Sequence, residues 1–403
     1  MLREYCAVPN FDDEGFVGIK FQDGHPQINF PRGYALSDDD NSVRKDILGL
    51  IAVLKNFSKR QEGQNSGETM DAATDFPILS YQYVINDFIS HGYYTESEVD
   101  YKLNGHGKIN WKRTIQKVRP HINQRNVVYL DVIAKQSINK TNILTRIHEF
   151  CVYESFSKLG WLYLSSSYLP MKPSLPFNKK QFLVVLRDAL KETFNNDKKR
   201  LFSSMIEIVN GIGTQVGQES FRFGVFGFEH VWQNLIDYVF GESNKGIYFP
   251  HAKWHIVKGN DHQSSALEPD TIMKFDDKVF ILDAKYYKYG ITRIPGHLPA
   301  TSSIQKQITY GEYVVAKNFA KSDDVYNAFI LPYTGGNGTH FEFASVGLAE
   351  WINYSDKTEN YKYVLAILLD TKYIMQTYAR HDAKEILELS EFILDSIREY
   401  RSS

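Results

Sequence analysis

Leu267-Glu268-Pro269-Asp270-Thr271-Ile272-Met273-Lys274-Phe275-Asp276-Asp277-Lys278-Val279-Phe280-Ile281-Leu282-Asp283-Ala284-Lys285 is the stretch on which the reading of this chain turns. Its centre, Phe275 to Lys278, carries the paired aspartates of a tight turn. Thr271-Ile272-Met273 and Val279-Phe280-Ile281-Leu282 flank that turn as short apolar runs, the signature of buried strands. Folding the stretch on its turn makes a hairpin, and twelve residues separate the two acids, so Asp270 and Asp283 meet at its open end. Asp283 and Lys285 are two apart and point to one face. The residues before them are apolar on both faces, as in a central strand whose polar end opens into a cleft.

That geometry has a chemistry. Hydrolysis of a phosphodiester needs an activated water and charge compensation on the phosphate and the leaving oxygen. Two carboxylates on neighbouring strands can hold Mg²⁺ through hard oxygen ligands, with water and phosphate completing the shell, and Mn²⁺ substitutes for it. A lysine beside them can orient or deprotonate the water, or stabilise developing charge. A plain hairpin with Asp270 at a turn and Lys285 in a surface ion pair is the structural alternative. It does not explain why polar residues close an otherwise apolar strand.

Working outward, strands and helices alternate on both sides. Phe228 to Phe240 reads as an amphipathic helix with Val231, Trp232, Leu235, Ile236 and Val239 on its apolar stripe. Strands are expected near 251–258, 267–275, 278–287 and 325–333, a strand pair within 340–370, and a helix over 302–319. A final helix opens with Asp382 and Glu385 at capping-box spacing. Upstream, helices are expected over 42–57, 81–91, 110–118, 142–158, 178–195 and 197–210, with short strands before residue 40 and one near 126–134. The polar run 58–75 reads as a linker. Gly211 to Gly217 reads as a domain boundary and lacks dinucleotide-loop spacing, and no GxxxxGK[ST] phosphate loop occurs in the chain.

The bulk numbers set bounds. A chain of 403 residues exceeds one ordinary core, and 43% hydrophobic content excludes extensive disorder. The net charge of −2 offers no global attraction for nucleic acid, so local charge must do that work. The first forty residues are acidic, with eight Asp or Glu against three basic residues. Residues 101–130 are the reverse: seven Lys or Arg, among them Lys108, Lys112, Arg113 and Lys117, and no acid. Interleaved amides and Trp111 suit that segment to DNA phosphates and base edges, although a solvated charged face or a protein-docking surface fits as well. Two cysteines, no apolar leader and no apolar run of membrane length point to a cytoplasmic protein with no membrane role. His148-Glu149 lacks the second histidine of a zinc helix, because position 152 is Val, so His148 reads as a core-edge residue.

Glu-Pro-Asp followed by Ile-Leu-Asp-Ala-Lys resembles the PD-(D/E)xK nuclease superfamily. The resemblance implies an α/β nuclease core, a mixed sheet flanked by helices, with Asp270, Asp283 and Lys285 as catalytic residues. It implies Asp270 and Asp283 as metal ligands, and Glu229, on the helix before the core strands, as a third. Lys306 and Tyr310, four apart on one helical face, are similar to the Gln-x-x-x-Tyr element that contacts DNA in several of these nucleases, with Lys in place of Gln. More narrowly, residues 101–333 look like LlaJI-type restriction endonucleases, themselves similar to McrC-type subunits that work beside an McrB-like GTPase.

The expected organisation is therefore an acidic accessory region over 1–75, a mainly helical recognition or partner-binding region over 76–212 and a nuclease domain over 213–403. The helices and hairpin of the middle region are compatible with a winged-helix variant. The substrate implied is double-stranded DNA, and a homodimer is compatible with the chain. Two alternatives stay open: a repair or transposon nuclease on the same core, and a regulatory subunit that activates a GTPase and cuts weakly or not at all.

Overall fold

The computed structural model describes residues 2–9, 15–22, 25–63, 72–74, 76–123, 126–140, 142–164, 169–212, 220–335, 343–352, 359–378 and 383–402. Asp382, Ser165 to Ser167, Arg125 and positions 213–217 of the glycine-rich stretch lie outside them. The chain divides into two compact units, Met1–Asp75 with Ser220–Ser403, and Phe76–Glu219.

In chain order the first unit begins with β1 (Cys6–Ala7), β2 (Phe16–Gln22), β3 (His25–Asn29), α1 (Asp40–Gly63) and β4 (Ala72–Thr74). The second contains α2 (Ile78–His91), β5 (Glu96–Leu103), β6 (Lys108–Ile109), α3 (Trp111–Lys117), β7 (His121–Asn123), β8 (Asn126–Val128), β9 (Ile133–Lys140), α4 (Ile143–Tyr163), α5 (Lys179–Glu192) and α6 (Asn196–Gly211). The first unit resumes with β10 (Phe221–Phe226), α7 (Glu229–Phe240), β11 (Lys253–Trp254), β12 (His262–Gln263), β13 (Thr271–Phe275), β14 (Lys278–Ala284) and α8 (Tyr289–Thr292). It ends with α9 (Thr301–Ala316), β15 (Val325–Tyr333), β16 (Phe343–Ala349), β17 (Val364–Asp370), α10 (Thr371–Thr377) and α11 (Ala383–Ser402).

The larger sheet of the first unit runs β13-β14-β15-β17-β16. Its hairpin β13–β14 is antiparallel, β14–β15 and β15–β17 are parallel, and β16 returns antiparallel on β17. The protein is thus a mixed α/β fold. The hairpin turn is the one its sequence dictates: Asp276 adopts a left-handed φ of 51°, a conformation that the short Asp side chain tolerates. Ile281, Phe329 and Leu368 share a core with Ile308, Tyr310 and Val314 of α9. The intervening residues Phe280, Leu282 and Ile330 are equally buried on the opposite face, where Trp232 of α7 donates from Nε1 to the Ile330 carbonyl at 3.2 Å.

A second sheet, β1-β3-β2-β10-β4, joins the N-terminal stretch to the segment just before α7. The chain between its strands and the larger sheet is tied down by buried polar bonds. Lys372 pairs with Asp46 at 3.1 Å and donates to Ser37 Oγ and the Ala35 carbonyl, while the Tyr34 hydroxyl donates to Asp46 at 3.0 Å. A buried charge is tolerable only when so thoroughly paired.

Several boundaries differ from expectation. The helix expected over 42–57 runs to Gly63, and a strand occupies 72–74 within the expected linker. The strand expected over 251–258 shrinks to Lys253–Trp254, paired with β12. His148 is fully buried rather than at the core edge: Nδ1 accepts from the Tyr94 amide at 2.9 Å, and burial lowers its pKa to about 4.

Candidate nuclease site

The last paired residues of the β13–β14 hairpin are Thr271 and Leu282, so Asp270 and Asp283 are the next pair beyond them. Asp270 Oδ2 accepts from the Ala284 amide at 2.9 Å and from Gln233 Nε2, on α7, at 3.4 Å. Its backbone carbonyl accepts from Lys245 Nζ at 2.6 Å, and Lys245 also pairs with Asp237 at 2.7 Å. Asp283 is buried, with Lys285 Nζ 2.9 Å from its Oδ2.

The electrostatics follow from crowding two acids out of water. Burial, then a hydrogen bond and charge repulsion from Asp283, push the Asp270 carboxyl up to about 8. Burial alone would lower the Lys285 pKa, but the charge and hydrogen bond of Asp283 outweigh it and leave the ammonium less acidic than usual. Lys285 is therefore held as a cation by Asp283. Asp270 holds its proton because it is buried beside a second acid, a situation that a divalent cation relieves. The donors are hard carboxylate oxygens, which fits Mg²⁺. Among the described residues no group of three His, Cys, Asp or Glu side chains is clustered for a metal, so water and phosphate would have to complete its shell.

Glu229, Gln233 and Lys285 line one cavity of about 470 Å³, together with Arg32, Tyr286 and His297. The Glu229 carboxylate lies against Gly227, whose φ of 78° and lack of a side chain make room for it, and 3.8 Å from His230 Nε2. Gln233, one helical turn after Glu229, is the residue of α7 that reaches Asp270. The i,i+4 spacing was its only sequence signal. Arg32 carried none: its amide donates to the Tyr286 hydroxyl at 2.6 Å across 254 positions of chain.

The two α9 residues expected at DNA lie apart in environment. Lys306 is exposed, its Nζ 5.8 Å from the Tyr310 ring centroid. Tyr310 is only 2% exposed, and its hydroxyl donates to the Glu268 carbonyl at 3.1 Å. Gln307, which the spacing argument passed over, is fully buried, and its Nε2 donates to the Ile281 carbonyl at 2.8 Å.

Of the acid-free segment in the second unit, Lys108, Lys112 and Lys117 are exposed on β6 and α3. The Arg113 guanidinium lies 3.6 Å from the Tyr101 ring centroid, and Asn110 caps α3 through the Arg113 amide. Trp111 and Ile115 are more than half exposed beside them, and β7 and β8 pair as a hairpin.

The model of the LlaJI restriction endonuclease family matches residues 16–372. The chain belongs to the LlaJI restriction endonuclease family. The match reaches well beyond the 101–333 expected from the resemblance and takes in both sheets of the first unit, apart from β1, as well as the whole second unit. This LlaJI-family chain is also 24% identical, over 335 residues, to the type II restriction enzyme BsuMI component YdjA of Bacillus subtilis strain 168, an alignment covering 76% of this chain and 70% of the relative. A restriction-type nuclease is what both similarities support. Among the described residues of the LlaJI-family chain, no helix is long and apolar enough to cross a membrane.

Proposed function

We propose that the chain cuts double-stranded DNA with a PD-(D/E)xK-type site formed by Asp270, Asp283 and Lys285. The observation that carries the reading is their convergence: two carboxyls in mutual hydrogen-bonding reach at the end of one hairpin, and a charged lysine 2.9 Å from the second. Asp270 and Asp283 would hold Mg²⁺ or Mn²⁺, with water and phosphate completing the shell; Glu229, which lines the cavity beside Lys285, would act on such an ion through water rather than as a direct third ligand. When bound, such a cation lowers the pKa of its water and neutralises phosphate charge. Lys285, protonated, donates to a non-bridging phosphate oxygen, where charge develops in the transition state. The Ala284 amide and Gln233 fix the rotamer of Asp270 so that one oxygen stays turned to the substrate. Tyr310 acts by holding the Glu268 carbonyl, and hence the entry to β13, rather than by touching DNA, while Lys306 faces the strand.

In the second unit, Lys108, Lys112, Arg113 and Lys117 would grip phosphates, with α3 and the β7–β8 hairpin acting as a winged-helix variant. The name of the Bacillus relative, a component of a restriction enzyme, favours a multi-chain system, and we take the partner to be an McrB-like GTPase. The regulatory alternative, a GTPase activator that cuts weakly, makes the same partner prediction and differs in cleavage. Nicking of plasmid by the purified chain tests the site: Mg²⁺ and Mn²⁺ should support cutting, and Ca²⁺, larger and more loosely coordinated, should support binding alone. Full activity in EDTA would remove the metal from the mechanism.

A further inference from the structure

The sheet β1-β3-β2-β10-β4 has two chemically different faces. In the pairing of β2 with β10, Phe16 stands opposite Phe226, Gly18 opposite Gly224 and Lys20 opposite Arg222; on the other side, Asn29 and Gln27 of β3 stand opposite Gly18 and Lys20. Alternate residues of a strand share a face, so all of these lie on one. The other face, with Val17, Ile19, Phe21, Phe223 and Val225, is buried in the core. The first is partly open: Phe16 is buried and Lys20 and Asn29 are half-buried, while Gln22, Gln27 and Arg222 are exposed and Phe226 is 45% exposed.

Among the described residues, no Asp or Glu stands on the open face, although this N-terminal stretch is the acidic part of the chain. Lys20 and Arg222 are directly cross-strand, where like charges repel unless an anion lies between them. Lys20 Nζ sits 4.9 Å from the Phe16 ring centroid, and Phe16 meets Phe226 edge-on at 5.4 Å. A side chain at Gly224 would collide with the Phe16 ring, so the paired glycines leave a shelf for the aromatics. Phe16, Lys20, Gln27, Asn29 and Phe226 line a cavity of about 560 Å³, a volume typical of ligand sites. Arg32 and Tyr286 line this cavity and also the one beside Lys285. The face thus adjoins the cavity beside Lys285.

Cations for phosphates, an exposed ring for a base and amides beside them are the parts of a single-strand platform. A base in duplex has both faces covered by its neighbours, so Phe226 has a stacking partner only where the strand is unpaired. We propose that this face binds an unpaired stretch of the DNA strand adjoining the cut, with phosphates on Lys20 and Arg222 and a base against Phe226. The identity of the strand as DNA rests on the nuclease reading above; the binding chemistry does not.

Binding of the full chain is measured in EDTA to fluorescein-labelled oligo-dT of about 12 nucleotides, within the span of single-strand sites, and to a blunt duplex of equal length. Phe226→Ala should weaken oligo-dT binding about 5-fold or more, with a smaller effect on the duplex, and Phe226→Trp should restore it. The pair Lys20→Gln with Arg222→Gln should lower the log–log salt slope by roughly 0.7 for each phosphate that is no longer neutralised. Unchanged oligo-dT affinity in both variants, at wild-type melting temperature, overturns the proposal, and so does an equal loss on duplex. The two readings fail separately. Cleavage that survives Asp283→Ala removes the nuclease site while leaving a loss of oligo-dT binding in Phe226→Ala as support for the platform.

Discussion

Asp270 Oδ2 and the Ala284 amide are 2.9 Å apart across the open end of the β13–β14 hairpin, so the first acid is fastened to the strand that carries the second. The backbone of β14 thereby sets where both carboxyls and Lys285 stand relative to one another. If that arrangement is the cutting centre, Asp283→Ala or Lys285→Ala should lower cleavage at least about 100-fold, the scale of losing a transition-state charge partner. Far-UV circular dichroism and DNA binding should stay at wild-type levels. Robust Mg²⁺-dependent cutting by purified Asp283→Ala protein would sink the assignment.

The raised Asp270 pKa predicts a pH dependence with a definite sign. The folded state holds a proton up to about pH 8, whereas an unfolded aspartate releases it near its ordinary value of 3.8. Between those limits the native state binds more protons, so stability falls as pH rises. Thermal melting without metal should decline from pH 5 to 8, and Asp270→Asn should flatten the decline. Added Mg²⁺ should raise the wild-type melting temperature more at pH 8 than at pH 5, because the site must lose its proton to take the ion. A melting curve indifferent to both pH and Asp270→Asn would contradict the paired-acid description.

Gln307 is a structural prediction. Its buried amide reaches the Ile281 carbonyl at 2.8 Å and the Ala328 carbonyl at 3.4 Å, carbonyls of the two strands on which the site depends. Gln307→Leu keeps the volume but strands a buried carbonyl, at a cost of about 1–3 kcal/mol. Urea denaturation should show this as a lower midpoint with unchanged slope. A midpoint equal to wild type would mean those carbonyls find other partners.

How much of this was legible depends on sequence separation. The hairpin could be read because its turn residues, its apolar runs and its terminal acids lie within nineteen consecutive residues, 267–285, and each specifies the next. Helix α7 and strand β15 were legible for the same reason, since each follows from its own periodicity. The pairing of Phe16 with Phe226 was not, because nothing local distinguishes β2 from any other short alternating run. Likewise Lys306 and Tyr310 have the spacing of a DNA-facing pair, but spacing on a helix cannot say which side meets the sheet. The packing of α9 turned Tyr310 and Gln307 inward and left Lys306 outside.

The acid-free segment should contribute to DNA binding through charge. Lys112 and Lys117 are exposed on α3, and Arg113 keeps its guanidinium at the surface by stacking on Tyr101. Lys112→Ala with Arg113→Ala should weaken duplex binding and reduce the log–log salt slope by about 0.9 for each phosphate left without its cation. Circular dichroism should be unchanged, since neither side chain is in the core. An unaltered slope would reassign the segment, with its exposed Trp111 and Ile115, to protein contacts.

If cutting is coupled to a nucleotide motor, as proposed, the motor lies outside these 403 residues, which contain no GxxxxGK[ST] phosphate loop. A nuclease that cuts only on a motor's command needs a weak resting activity. The protonated Asp270 supplies a physical basis: at neutral pH the site must give up a proton before it can be charged with metal, and a cation that arrives with DNA phosphate as a further ligand shifts that equilibrium towards the deprotonated, metal-bound form. The isolated chain should therefore nick plasmid slowly and without sequence preference in Mg²⁺. Adding an McrB-like GTPase together with GTP should accelerate cutting by about 10-fold or more, corresponding to about 1.4 kcal/mol of coupling. A non-hydrolysable GTP analogue should fail to do so if the motor must move. Fast, site-specific cutting by this chain alone, with only Mg²⁺ present, would refute the motor model and leave a self-sufficient restriction enzyme.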